Sequence, residues 1–156
     1  MDHDAVARAM YARDATADAF GIDLVEASPE RAVVTMKVRP DMCNGLDVIH
    51  GGMTFLLADS AMAFASNSTN ERALASSAEI DWLAPATTGE LLTATAHRRA
   101  AAGRTTLWDI TVEASRGDDA TLVAIVRGRT RTVRGQIVEG QPAQGSSNTN
   151  DSAAPD

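Results

Sequence analysis

The chain has 156 residues, 44% of them hydrophobic, with a single cysteine and a formal net charge of -7. That length and apolar content suit one domain with its own core, and the acidic balance argues against general nucleic-acid binding. Cys43 alone cannot form an intrachain disulfide, no stretch approaches the ~20 apolar residues of a membrane span, and the N-terminus lacks the apolar centre of a secretory leader. A cytoplasmic protein without membrane or nucleic-acid partners is therefore expected.

In chain order, Val6, Met10 and Ala17 recur at helical spacing, which predicts a short amphipathic helix over about 4–19, ended by Gly21. Ile22 to Ala27 and Ala32 to Val38, joined by Ser28-Pro29-Glu30, read as a hairpin. A loop through Asn44-Gly45 leads to His50-Gly51-Gly52. Next comes a run to Ser66 built of Ala, Leu, Met, Phe, Ser and Thr with one acid, Asp59. Its length and its lack of interior Gly or Pro predict a helix over about 52–66, and its apolarity on all sides predicts that this helix is buried. Strands are expected at Ser77–Leu83, Leu91–Arg98, Thr105–Glu113 and Ala120–Val133, separated by Pro- and Gly-containing turns. In the third, Trp108, Ile110 and Val112 alternate with Asp109, Thr111 and Glu113. The single domain spans 1–134. The tail 135–156, rich in Gly, Ser, Gln and Asn, is expected to be disordered.

A buried helix followed by a meander of antiparallel strands is most simply accommodated by a sheet that curls around the helix. The fold class is therefore α+β, the hotdog architecture. Its open sheet edge and remaining apolar surface call for a second copy, so a homodimer is expected, with a dimer of dimers plausible in addition.

Asp59 is the residue that this layout does not explain. An unpaired carboxylate among apolar groups costs several kcal/mol, and at 100° per residue it shares a stripe with Phe55, Met62 and Ser66. Upstream, Gly51 and Gly52 open the helix. The first N–H groups of a helix lack intrahelical partners and can receive an oxyanion, and glycine admits a substrate carbonyl close to the backbone. Carboxylate and backbone donors together suit attack on an acyl carbonyl, with Asp59 as nucleophile or as general base on water. The three histidines, His3, His50 and His97, have no metal-ligand spacing, so neither metal nor cofactor is expected. Cys43 has no suggested His/Asp partner and reads as a packed thiol. Between Arg98 and Arg134 eight arginines face four acids, a local balance of 8 − 4 = +4. Among them Arg104, with Arg98 and Arg99, is a candidate for meeting an anionic ligand.

The residues ID (22–23), AVVTM (32–36), NG (44–45), HGG (50–52), Phe55, LAD (57–59), Ala61 and NS (67–68), with AMYARDATADAFGID before them, resemble the PaaI-type acyl-CoA thioesterases of phenylacetate degradation. The resemblance runs from residue 9 to about 134. It implies hydrolysis of aryl-acetyl-CoA thioesters such as phenylacetyl- or hydroxyphenylacetyl-CoA. The catalytic carboxylate would fall on Asp59 and the oxyanion donor on Gly51, with Gly52 beside it. Asn44 and His50 would line the site and orient thioester or water. It further implies active sites shared across a dimer, to which Ser76 or Ser77 of the following strand would contribute. Phe55 and Met62, with Met53 and the N-terminal helix, would shape the acyl pocket. The alternative is a non-catalytic acyl-CoA-binding module. A hydratase, which needs a deep His acid-base partner, ranks below both.

Overall fold

The computed structural model describes residues 1–143. Two short helices, α1 (His3–Tyr11) and α2 (Ala15–Phe20), precede strands β1 (Ile22–Ala27) and β2 (Arg31–Lys37), a single 3-10 turn at Pro40–Met42, and the long helix α3 (Gly51–Asn67). Strands β3 (Glu71–Trp82), β4 (Leu91–Ala102), β5 (Thr105–Arg116) and β6 (Asp119–Gln136) follow. All neighbouring strands are antiparallel, in the order β1-β2-β4-β5-β6-β3. Helix α3 lies across the inner face and touches every strand. This is the hotdog fold that the order of elements predicts.

The inner face is built by strict alternation. Trp108, Ile110 and Val112 of β5 are buried, while Asp109 on the outer face holds Arg127 of β6. The buried Trp108 indole N–H donates to the Thr130 hydroxyl at 2.9 Å, so the largest core side chain carries no unpaired donor. On the helix, Leu57, Ala58, Ala61, Met62, Phe64 and Ala65 are buried against this sheet. Burial of each larger side chain stabilises the fold by roughly 1.5–3 kcal/mol. Gly128 of β6 lets α3 approach closely, since a Cβ there would overlap the Met62 sulfur. At the far end of the helix the Asn67 amide donates to the Ala63 and Ala73 carbonyls and accepts from the Ala73 N–H, which steers the chain into β3.

Three expectations are corrected. The N-terminal helix expected over 4–19 is two helices, because Asp14 adopts an extended conformation and accepts from the N–H groups of Thr16 and Ala17, starting a new helix. Strand β3 begins at Glu71 rather than Ser77. Most of its residues are exposed and none is fully buried, so the weak alternation of Glu71 to Leu74 does not show as an apolar-polar pattern in the sequence. The tail expected to be disordered from 135 is ordered in its first part. Residues 135–136 complete β6, and Asn70, buried and with φ 67°, then binds Val138 through both backbone groups and the Gln141 carbonyl. Arg13 donates to the Ile137 carbonyl at 2.9 Å. The remainder of the tail, 144–156, lies outside the described residues.

Candidate active site

The site is built at the start of α3. A short bridge between Cys43 and Ile49 closes the loop in which the Asn44 side chain accepts from the Leu46 N–H at 2.8 Å. Asn44 thus uses its carbonyl oxygen to hold the turn, and its amide N–H groups have no acceptor among the described residues. His50 is the N-cap of α3, with its Nδ1 accepting from the Gly52 N–H at 3.0 Å. That bond fixes the neutral tautomer and leaves the Nε2–H as an outward donor. Gly51, the first helical residue, is different. Its N–H has no acceptor among the described residues, and the helix dipole adds positive potential there. One backbone donor is therefore available at Gly51, whereas the Gly52 donor is spent on His50.

Glycine at 51 has a packing reason as well. A Cβ there would lie 3.0 Å from the indole ring of Trp82, whose Nε1–H donates to the Gly51 carbonyl at 3.2 Å. Trp82 carries no functional signal in the sequence; only the tertiary structure brings the end of β3 onto the start of α3. A cleft of about 320 Å³ opens beside Gly51, lined largely by Val48, Ile49, Trp82, Leu83 and Val123. Thr54, which also borders it, has the one buried side-chain oxygen without a partner among the described residues.

Asp59 sits two turns along the helix, half-buried, and burial raises its carboxyl above the usual carboxylate range. Desolvation is the cause, and no cation or N–H donor among the described residues opposes it. Phe55, Leu56, Ala63 and Ser66 share its half-buried side of the helix. Met62 does not: it is 1% exposed and seated over Gly128, so it packs the core beneath the stripe on which periodicity places it. Eight residues at roughly 1.5 Å each put Asp59 about 12 Å along the axis from Gly51. A carboxylate attacking a carbonyl must lie ~3 Å from the reacting carbon. One chain therefore does not bring the two groups together on one carbonyl.

Ser76 and Ser77 lie at an irregularity in β3, the Ser76 hydroxyl donating to the Arg129 carbonyl at 3.3 Å, and both are exposed on an edge strand. Arg104 is exposed in the β4–β5 turn. Arg98 is instead engaged with Glu30, and Arg99 lies 3.8 Å from Asp109. His97 is exposed on the outer face, across the sheet from α3, so it is not the deep acid-base histidine that a hydratase would need. Among the described residues no group of three or more His, Cys, Asp or Glu gathers to hold a metal, and no helix is long and apolar enough to cross a membrane. A cavity of about 580 Å³ between the α1–α2 junction, Asn67, Arg72 and Ile137 contains none of the predicted site residues.

Residues 46–122 match the thioesterase superfamily model. The chain is 42% identical over 131 residues to the acyl-coenzyme A thioesterase PaaI of Escherichia coli, covering 84% of this chain and 91% of that protein. Its fold matches the structure of the E. coli PaaI protein with a TM-score of 0.79 at 41% identity, over 85% of this chain and 94% of that one. A variant of the phenylacetic acid degradation protein PaaI of Thermus thermophilus matches with a TM-score of 0.71 at 31% identity, over 77% and 100%. With a hotdog sheet around α3 and a free backbone donor at its start, the chain belongs to the PaaI-type acyl-CoA thioesterases of the thioesterase superfamily.

Proposed function

We propose that this acyl-CoA thioesterase hydrolyses aryl-acetyl-CoA esters of the phenylacetyl or hydroxyphenylacetyl class, in sites shared between two copies of the chain. The aryl-acetyl assignment is supported by the likeness to the E. coli protein, which comes from a phenylacetic acid degradation operon. The observation that carries the mechanism is the pairing of an unused Gly51 N–H with an unpartnered, half-buried Asp59.

In this reading the thioester carbonyl oxygen rests on the Gly51 N–H of one copy, and the Asp59 of the other copy faces its carbon. Asp59 either adds to that carbon or takes a proton from the attacking water. The C–S bond then breaks and coenzyme A leaves as a thiolate that collects a proton. With water as the attacking group this gives the free acid directly, whereas addition of Asp59 leaves an acyl anhydride on the carboxylate that a water molecule cleaves to free acid and Asp59. Desolvation makes the carboxylate more basic, which assists both routes. Gly51 takes up the charge that develops on oxygen, so the reaction needs neither metal nor cofactor. Asn44 and the outward N–H of His50 orient thioester or water, and Gly52 supports them by fixing His50.

Two features favour the shared site besides the ~12 Å separation. The side of α3 that carries Met53, Phe55, Leu56 and Ala63 is apolar and left half-open by its own chain. Strand β3 is a twelve-residue edge, exposed over most of its length; apart from Glu71 and Ala73, which Thr69 and Asn67 engage, its outer backbone groups have no partner among the described residues and can pair with a second copy. Ser76 or Ser77 would then reach the partner's site, Phe55 would line the acyl pocket, and Arg104 would meet the phosphates of CoA. A dimer of dimers is the larger assembly proposed. Asp59→Asn should lower kcat for phenylacetyl-CoA by ~10³-fold, measured as release of free thiol, while the protein stays folded. Turnover within tenfold of the wild type would remove Asp59 from this role.

A further inference from the structure

We infer that Trp82 is a positioning residue for the oxyanion donor. This rests on the assignment of Gly51 as that donor and adds the element that holds it. The Trp82 Nε1–H donates to the Gly51 carbonyl at 3.2 Å. That carbonyl belongs to the same peptide unit as the Gly52 N–H, which donates to His50 Nδ1 at 3.0 Å. Indole, peptide and imidazole thus form one chain of hydrogen bonds running in a single direction. Each bond polarises the next, so the indole strengthens the bond that fixes the His50 tautomer.

The indole acts on geometry as well. Glycine at 51 leaves the backbone free to turn, and nothing in the first turn of a helix holds the leading N–H groups through i−4 partners. Trp82 holds the Gly51 position in two ways, by the indole N–H on its carbonyl and by ring atoms that would lie 3.0 Å from a Cβ there. Removing the indole N–H frees the 51–52 peptide and loosens the Gly52–His50 bond made by that same unit. It also lets the Gly51 Cα shift together with the N–H it carries, whose own peptide is held through the His50 carbonyl and the Met53 N–H at 2.8 Å. An oxyanion donor acts through its direction, so this loss falls on the transition state. The bound thioester, whose carbonyl carries less charge, is affected little.

The test uses the full-length protein with two substitutions that separate donor from ring. Trp82→Phe keeps an aromatic ring and deletes the N–H. Trp82→Gln deletes the ring and retains a side-chain N–H at a similar distance from the backbone. Steady-state thiol release from phenylacetyl-CoA is expected to give a kcat about tenfold lower for Trp82→Phe with KM within about twofold, and a kcat for Trp82→Gln nearer to the wild type. The imidazole nitrogen resonances of His50 are expected to move in Trp82→Phe and to return toward their original positions in Trp82→Gln. An unchanged kcat in Trp82→Phe overturns the inference. So does an equal loss in both variants, or a change confined to KM, which would make Trp82 a wall of the substrate cleft. Gly51→Pro is the control for the assignment beneath it. Proline is favoured as the first residue of a helix and lacks the N–H, but its Cβ presses on the Trp82 indole. Gly51→Ala, which adds the same Cβ and keeps the N–H, is therefore measured beside it, and only a loss beyond that of Gly51→Ala is assigned to the N–H. Full turnover in Gly51→Pro removes Gly51, and Trp82 with it. An inactive Gly51→Pro beside a fully active Trp82→Phe removes Trp82 alone.

Discussion

The two sides of α3 are written in nearly the same alphabet and have different owners. Leu57, Ala61, Phe64 and Ala65 are sealed by the chain's own sheet, with Phe64 also meeting Tyr11 edge-to-face at 5.8 Å. Phe55, Leu56, Ala63 and Ser66, almost as apolar, are left half-open around Asp59. The first side stabilises the protomer. In the proposed reading the second belongs to the assembly and to the chemistry, so a carboxylate is tolerated there because that side is not sealed by its own chain.

Substitutions on the two sides should separate these roles. Phe64→Ala removes a fully buried ring and should cost about 4 kcal/mol of stability, read as a fall in the denaturation midpoint. Ala63→Arg, one residue earlier and on the open side, should leave protomer secondary structure intact. It should convert the assembly to monomers in sedimentation and reduce activity by ~10²-fold or more. If Ala63→Arg stays a fully active dimer, the open side is not the interface. Smaller in effect, Gly128→Ala presses a methyl onto the Met62 sulfur and should destabilise by ~1–3 kcal/mol. In a double-mutant cycle with Met62→Ala the two costs should fall short of adding; simple additivity would mean that the helix does not rest on that glycine.

The smallest effect concerns Asp59 itself. Its native carboxyl titrates above the unfolded value because burial disfavours the charged form. Between the two values the native state holds the proton and the unfolded chain does not, so stability falls as pH rises through that window. Asp59→Asn should therefore be slightly more heat-stable than wild type at neutral pH, by ~2 °C, and this advantage should vanish below about pH 4. In thermal scans at several pH values, an advantage that persists at low pH would place its origin elsewhere. The acid limb of the kcat profile should likewise lie above the ordinary carboxylate range.

The fold was largely legible because its signals are periodic. The alternation of β5, the glycine turns at 103 and 117 and the unbroken apolar run of α3 each state one local geometry. The break before α2 and the early start of β3 were not, since a single capping aspartate and an exposed edge strand leave no mark on hydrophobic spacing. At the site, Gly51, His50 and Asp59 stand out because HGG and a lone acid are local features. Met62 was misplaced for the opposite reason: periodicity ranks the angles of residues on a helix, while depth depends on what faces them, here a glycine 66 residues later in β6. Trp82 was invisible for the same cause.

The distance along α3 between Asp59 and Gly51 has a consequence for mixed assemblies. If each reaction centre draws its carboxylate from one copy and its N–H from the other, Asp59→Asn and Gly51→Pro chains, both inactive alone, would complement each other. Each hybrid dimer would then contain one intact centre and one doubly damaged centre. Equal parts of the two, unfolded and refolded together, would form hybrids as half of all dimers and regain about a quarter of the wild-type specific activity.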